Sequence, residues 1–293
     1  MIIMHERLLK LKNGLKNPML QRIASGDSTV CDQDYDFTES EVANYRRWDA
    51  LSVASVFGHS DIVNRLLEIP AVSDNAHARY NMALIAAVEY GHLAIVNRLL
   101  KIQEVIGNAD AADNLALQVA AANGHLAIVN RLLEIPVVNG NANIWNNDAL
   151  RSAARFGHVD IVNCLLDIPA VSDNADAAGN GALRMAAKYG HVAIVNRLLE
   201  IREVSENAHV ADNGALRWAE VNGHLAIVNR LLEIKEVRAN AHISNNWALR
   251  VAAWHGHLAL VNRLLEIREV SDNAHAVDNH ALRGAAAHGH LAV

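Results

Sequence analysis

Sixteen histidines and one short acidic run are the residues that could do chemistry in this 293-residue chain. Imidazoles and carboxylates at the right spacing hold metal ions or move protons. Eight histidines belong to the dipeptide Gly-His, whose glycines stand at 58, 91, 124, 157, 190, 223, 256 and 289, so that every interval is 33 residues. Four more (His77, His209, His242 and His275) recur in Asn-Ala-His, where Asp110, Asn143 and Asp176 occupy the same slot. Interchange among His, Asp and Asn points to hydrogen bonding in a turn. Only His280, His288 and His290 gather, joined by His255 and His257, without a cysteine partner or a recognised ligand spacing. In the acidic run, Asp32, Asp34 and Asp36 fall at the first, third and fifth positions of a calcium loop. Phe37 then stands where the loop needs glycine, and Ala43 where it needs a bidentate glutamate. No Gly-x-Ser-x-Gly elbow, phosphate-binding loop or dinucleotide fingerprint is present. Cys164 sits among apolar residues in a slot that other copies fill with Arg, as a tolerated substitution would. The expectation is no enzyme, no metal and no cofactor.

The 33-residue interval carries more information than any single residue. A unit of that size cannot bury its apolar face alone, so a fixed period predicts a stacked array. Hydrophobic residues make up 52% of the chain and aromatics only 4%, which suits small helices packed closely through Ala, Leu, Ile and Val. The net charge is −6 with Lys and Arg scattered, which argues against nucleic acid as partner. Two distant cysteines give no disulfide framework, and a reducing, cytoplasmic setting follows. The first twenty residues lack a signal-peptide core, and no stretch approaches the roughly 20 apolar residues of a membrane span. Export would need a signal-independent route.

Residues 1–47 lie outside the period and read as two short helices broken near Asn13-Gly14, the second starting at Pro18: a polar N-terminal cap. Units then run 48–80, 81–113, 114–146, 147–179, 180–212, 213–245 and 246–278, with a partial unit at 279–293. Each holds two helical segments. Asn at 81, 114, 147, 180, 213, 246 and 279 opens the first, where its side chain is expected to accept from the first-turn N–H groups. Gly closes it in a left-handed conformation. The second helix places Ile95, Val96, Leu99, Leu100 and Ile102 on one buried stripe. The link, as in PAVSDNAHAR, reads as a turn extending away from the helices.

The phrase A-L-R-x-A-A-x-x-G-H-L-A-I-V-N-R-L-L over residues 48–293 resembles the ankyrin repeat, T-P-L-H-x-A-A-x-x-G-H-x-x-I-V-x-x-L-L. The resemblance implies an all-α ankyrin-repeat solenoid of stacked helix-turn-helix units with projecting turns. It also implies local hydrogen bonds from the Gly-His imidazole and a concave groove that binds protein. The sequence departs in replacing Thr-Pro by x-Ala and the first His by Arg151, Arg184, Arg217, Arg250 and Arg283. The LLEIPAV flavour of the link resembles arrays of intracellular or amoeba-associated bacteria, many of them host-directed effectors.

Specificity has to come from positions that differ between copies. The Asn of Val-Asn-Arg, present in seven copies from 64 to 262, is repeated unchanged and reads as an inter-repeat ladder. The two positions before each Gly vary and border the groove that the resemblance implies: Glu89-Tyr90, Arg155-Phe156, Lys188-Tyr189 and Trp254-His255 among them. The turn tips vary too, at Tyr80 and Trp145, and Trp247 adds a further aromatic. Arg151, Arg184, Arg217 and Arg250 extend a basic strip alongside, interrupted by Glu220. Aromatic and Arg anchors on a rigid variable surface are what protein recognition uses. The chain is therefore expected to be a non-enzymatic scaffold that binds a partner protein there. The rival reading is the targeting arm of a larger effector or enzyme. Because the last unit stops one turn into its second helix, a monomer with an association-prone C-terminal end is expected.

Overall fold

The computed structural model describes residues 2–32, 40–43 and 46–293, with the side chains of residues 2–5, 7 and 40–48 outside that description. Asp34, Asp36 and Phe37 of the rejected calcium loop, and the side chain of Trp48, therefore lie outside the described residues. The chain divides into two compact units, Met1–Ile144 and Trp145–Val293, and each contains helical repeats built to one plan.

Each repeat after the first is entered through three consecutive left-handed residues. In the segment Ala78–Glu89 these are Arg79, Tyr80 and Asn81, with φ of 56°, 58° and 60°. Left-handed backbone costs an L-residue about 1–2 kcal/mol, least for Asn and Asp. The third position is Asn in all seven such turns. Its side chain does not accept from its own helix, as a cap would. Asn81 is 2% exposed, and its Nδ2 donates to the carbonyls of Val105 (2.9 Å) and Asn108 (2.7 Å) in the link that closes the same repeat. Asn114 and Asn147 make the same pair of bonds, and Asn180, Asn213 and Asn246 each reach the matching valine carbonyl. One residue type both tolerates the backbone and ties the start of a repeat to the link at its end.

The right-handed helix that follows ends as expected. All eight Gly-His glycines have φ between +70° and +84°. A Cβ on Gly58 would stand 2.6 Å from the ring of His92, so the glycine also clears space for the next repeat's imidazole. That imidazole is not locally bonded: Nε2–H of His92 donates to the Val56 carbonyl of the preceding repeat at 3.0 Å. His125, His191, His224 and His290 repeat the bond to the carbonyls of Glu89, Arg155, Lys188 and Trp254. Burial pushes the His92 imidazole below its ordinary range, which favours the neutral ring that such a bond needs.

The second helix, Leu93–Leu99 in one copy, buries Ile95, Val96, Leu99 and Leu100, while Ile102 is half-buried. Each large side chain removed from water contributes roughly 1.5–3 kcal/mol. The Asn ladder is an inter-repeat device, since the Nε of Arg98, Arg131 and Arg263 donates to Asn64, Asn97 and Asn229. The link reaches its exposed turn tip, as at Tyr80 and Trp145, by way of a folded segment. It contains a third, short helix, such as Pro70–Ser73 or Arg202–Glu206, whose valine (Val72, Val105, Val138, Val171, Val204, Val237, Val270) is at most 5% exposed. Proline at the first helical position favours that turn, and the valine then folds the link onto the core.

The N-terminal helices form where expected, at Ile2–Gly14 and Pro18–Ala24, and Asn17 caps the second by accepting from Met19 N at 2.9 Å. Met19, Leu20, Ile23 and Ala24 are buried, and Pro18–Ala24 packs on Ala50–Phe57. Gly26 is left-handed (φ +79°) and lies under the His59 ring, so this segment imitates a repeat for its neighbour. An antiparallel hairpin of β1 (Ser40–Ala43) and β2 (Arg46–Asp49) follows, which the sequence did not suggest. Apart from it the described fold is all-α, an ankyrin-type solenoid. No described helix is long and apolar enough to cross a membrane.

Candidate interaction surface

In the unit Trp145–Val293, the left-handed glycine ends each first helix so that the two residues before it stand at an open edge. Phe156, Tyr189 and Trp254 are 51%, 41% and 43% exposed there. Cations lie over their rings. Arg155 stands 5.2 Å from the Phe156 centroid and 5.6 Å from that of Tyr189. Lys188 stands 5.4 Å from Tyr189 and 4.3 Å from Trp218, and Arg217 is 4.1 Å from Trp247. Each such pair contributes about 0.5–1 kcal/mol at an exposed site, and together they fix the side chains into a preformed row.

The basic strip is partly committed to structure. Arg151 Nη1 donates to the carbonyls of Trp145 (2.9 Å) and Asn146 (3.1 Å), and its Nη2 pairs with Asp148 at 2.5 Å. Arg184 and Arg250 donate to the carbonyls of Ala178 and Ser244, and Arg217 lies 4.0 Å from Asp212. These arginines clasp the left-handed turn that leads into their own helix, offsetting its strain. Glu220 does not interrupt the strip. It is 0% exposed, and neither carboxylate oxygen has a hydrogen-bond partner. Burial pushes its carboxyl well above the usual range, against a weaker downward pull from Arg217.

The other sites selected from sequence are scattered. Trp145 is 62% exposed at its turn tip. Trp254 meets the His288 ring at 3.9 Å, and His255 stacks on His257 at 5.7 Å. Tyr80, 73% exposed, and the half-buried Glu89 and Tyr90 belong to the unit Met1–Ile144. Among the described residues, no three His, Cys, Asp or Glu side chains converge as metal ligands would. Cys31 and Cys164 are both reduced thiols, and burial pushes each of them up.

The repeat plan matches a known family. The family model for ankyrin repeats, in three copies, fits residues 51–144, 117–210 and 183–279. The chain belongs to the ankyrin-repeat family. A solved ankyrin repeat family protein from Legionella pneumophila is 26% identical over 76% of this chain and 70% of its own, with a TM-score of 0.38. Among curated proteins, none matches. Ankyrin repeats are generally protein-interaction modules, so the family points to protein partners.

Three residues of this ankyrin array were not selected from sequence, although they shape the surface. Trp218 is 39% exposed beside Lys188. Gly181 and Gly214 replace a side chain on the first helix, and the stems of Arg151 and Arg184 lie over them, with Cδ 2.7 Å and 2.8 Å from where a Cβ would be. The signal for Trp218 was its position four residues before Asn222, which puts both on one helix face.

Proposed function

We propose that this chain binds a partner protein through the first-helix edges of residues 145–293, without catalysing a reaction. The observation that carries the reading is the row Phe156, Arg155, Tyr189, Lys188 and Trp218, where exposed rings and cations alternate in contact. Solvent-exposed aromatics of this size are anchors in interfaces, and holding them rigid before binding lowers the entropy lost on association. A reducing compartment is in keeping with the two thiols. A photoreactive amino acid placed at Tyr189 or Trp218 should crosslink one partner in cells or extract. The same group at Asn196, exposed on a second helix, should not. Equal crosslinking of the same protein from all three positions would contradict the reading.

A further inference from the structure

Beside that row lies a surface cavity of about 300 Å³ with Arg184, Arg217, Trp218 and Trp247 in its lining and Gly214 among them. Its shape follows from the sequence of three successive repeats. Gly214 stands where the next repeat has Trp247, and the missing side chain lets the Arg184 stem cross the helix. Trp247 in turn carries Arg217 on its ring face at 4.1 Å, and Trp218 carries Lys188 at 4.3 Å. The Nε–H of Arg184 is buried and without a hydrogen-bond partner, while its Nη2 holds the Ala178 carbonyl. Arg184, Lys188 and Arg217 bring three positive charges to this place, opposed by Asp212 at 4.0 Å from Arg217. The chain as a whole carries −6. A local positive excess on an acidic protein selects by charge complementarity.

We infer that this cavity receives a glutamate side chain from an acidic, extended segment of the partner protein. A bare inorganic anion would fill a small part of the space and leave the indoles without a contact. A glutamate lays its two methylenes against indole walls and brings its carboxylate to guanidinium groups, where charge-assisted hydrogen bonds are about twice as strong as neutral ones. A neighbouring acidic residue of the same segment would meet Lys188. The inference deepens the protein-binding reading and rests on it, yet it makes a claim that can fail alone.

The probe is a deca-glutamate peptide, with deca-glutamine and inorganic phosphate at matched ionic strength as comparisons. In the wild-type chain, titration with deca-glutamate should shift the indole N–H resonances of Trp218 and Trp247 while leaving Trp145 in place. Its affinity should fall as salt rises. Arg184→Gln with Arg217→Gln should weaken binding at least tenfold, and Trp218→Ala should weaken it severalfold. Arg202→Gln with Arg268→Gln, which removes two exposed charges from short helices, should change it less than twofold. Thermal melts identify any variant that unfolds, and the wild-type resonance shifts do not depend on the variants. Equal shifts at Trp145, an equal response to deca-glutamine or phosphate, or equal loss in both double variants would overturn the inference. If crosslinking at Tyr189 persists while deca-glutamate fails, the protein-binding surface stands and the acidic occupant falls.

Discussion

Replacing Glu220 by Leu should stabilise the protein, and by more at high pH than at low. The position is Ala in five repeats and Val in another, and it lies on the buried face of the first helix. Here it holds a carboxyl with 0% exposure and no hydrogen-bond partner, beside a cavity of about 10 Å³ that Arg217 and Asp212 also border. A buried polar group left unpaired costs about 1–3 kcal/mol, and leucine keeps similar volume without that cost. The carboxyl's pKa is raised in the folded state from an ordinary value of 4.5. Between that value and the folded one, the folded chain holds a proton that the unfolded chain has lost. Stability then falls as pH rises, by up to about 1.4 kcal/mol per pH unit, until the folded pKa is passed. Urea titrations of wild type and Glu220→Leu at pH 5, 6, 7 and 8, followed by circular dichroism, measure the gap directly. Other titrating groups cancel in the difference. The gap should favour leucine by about 2 kcal/mol or more at pH 7 and widen from pH 5. Glu220→Gln should abolish the widening while retaining part of the polar cost. A flat gap, or a leucine variant less stable than wild type at pH 7, would refute the reasoning.

The repeat contacts give further expectations. Asn147→Ala removes the donors to the Val171 and Asn174 carbonyls and should cost about 1–3 kcal/mol, with faster amide exchange around residues 169–177. Gly190→Ala puts a Cβ at φ +83° and 2.8 Å from the His224 ring, and should cost more than about 1 kcal/mol. Gly140→Ala, where a Cβ meets nothing within 4 Å, should be near neutral in the same thermal melts. Cys164, half-buried and with its thiol pKa raised, should react with iodoacetamide more slowly than a small free thiol at neutral pH.

The parts of the fold that sequence showed are those governed by local rules. The constant interval announced the stacked units. Gly before His announced the left-handed helix end, found at all eight positions, and helical spacing announced the stripe Ile95, Val96, Leu99 and Leu100. What stayed hidden depends on partners distant in sequence. Asn81 looks like a helix cap because its next neighbours are helical, yet its bonds reach Val105 and Asn108, 24 and 27 residues on. The Gly-His imidazole reaches back 36 residues in the same way. Three left-handed residues in a row are not suggested by residue type, since Arg79, Tyr80 and Trp145 carry full side chains. Without that turn, the arginines that clasp its carbonyls could only be read as a free basic strip. The edge aromatics were legible as variable positions. Their assembly with Trp218 and Gly214 into one surface required knowing which residues successive repeats bring side by side.

The most direct test of the protein-binding surface compares dissociation constants for the crosslinked partner across two sets of variants at matched folding. Phe156→Ala, Tyr189→Ala and Trp254→Ala remove anchors on the variable edge. Asn130→Ala and Asn196→Ala alter the ladder that repeats unchanged. An anchor that contributes about 2 kcal/mol corresponds to a loss of roughly thirtyfold. The account predicts such a loss for at least one edge variant and less than a threefold change for either ladder variant. Equal weakening in both sets, or none at the edge, would contradict it.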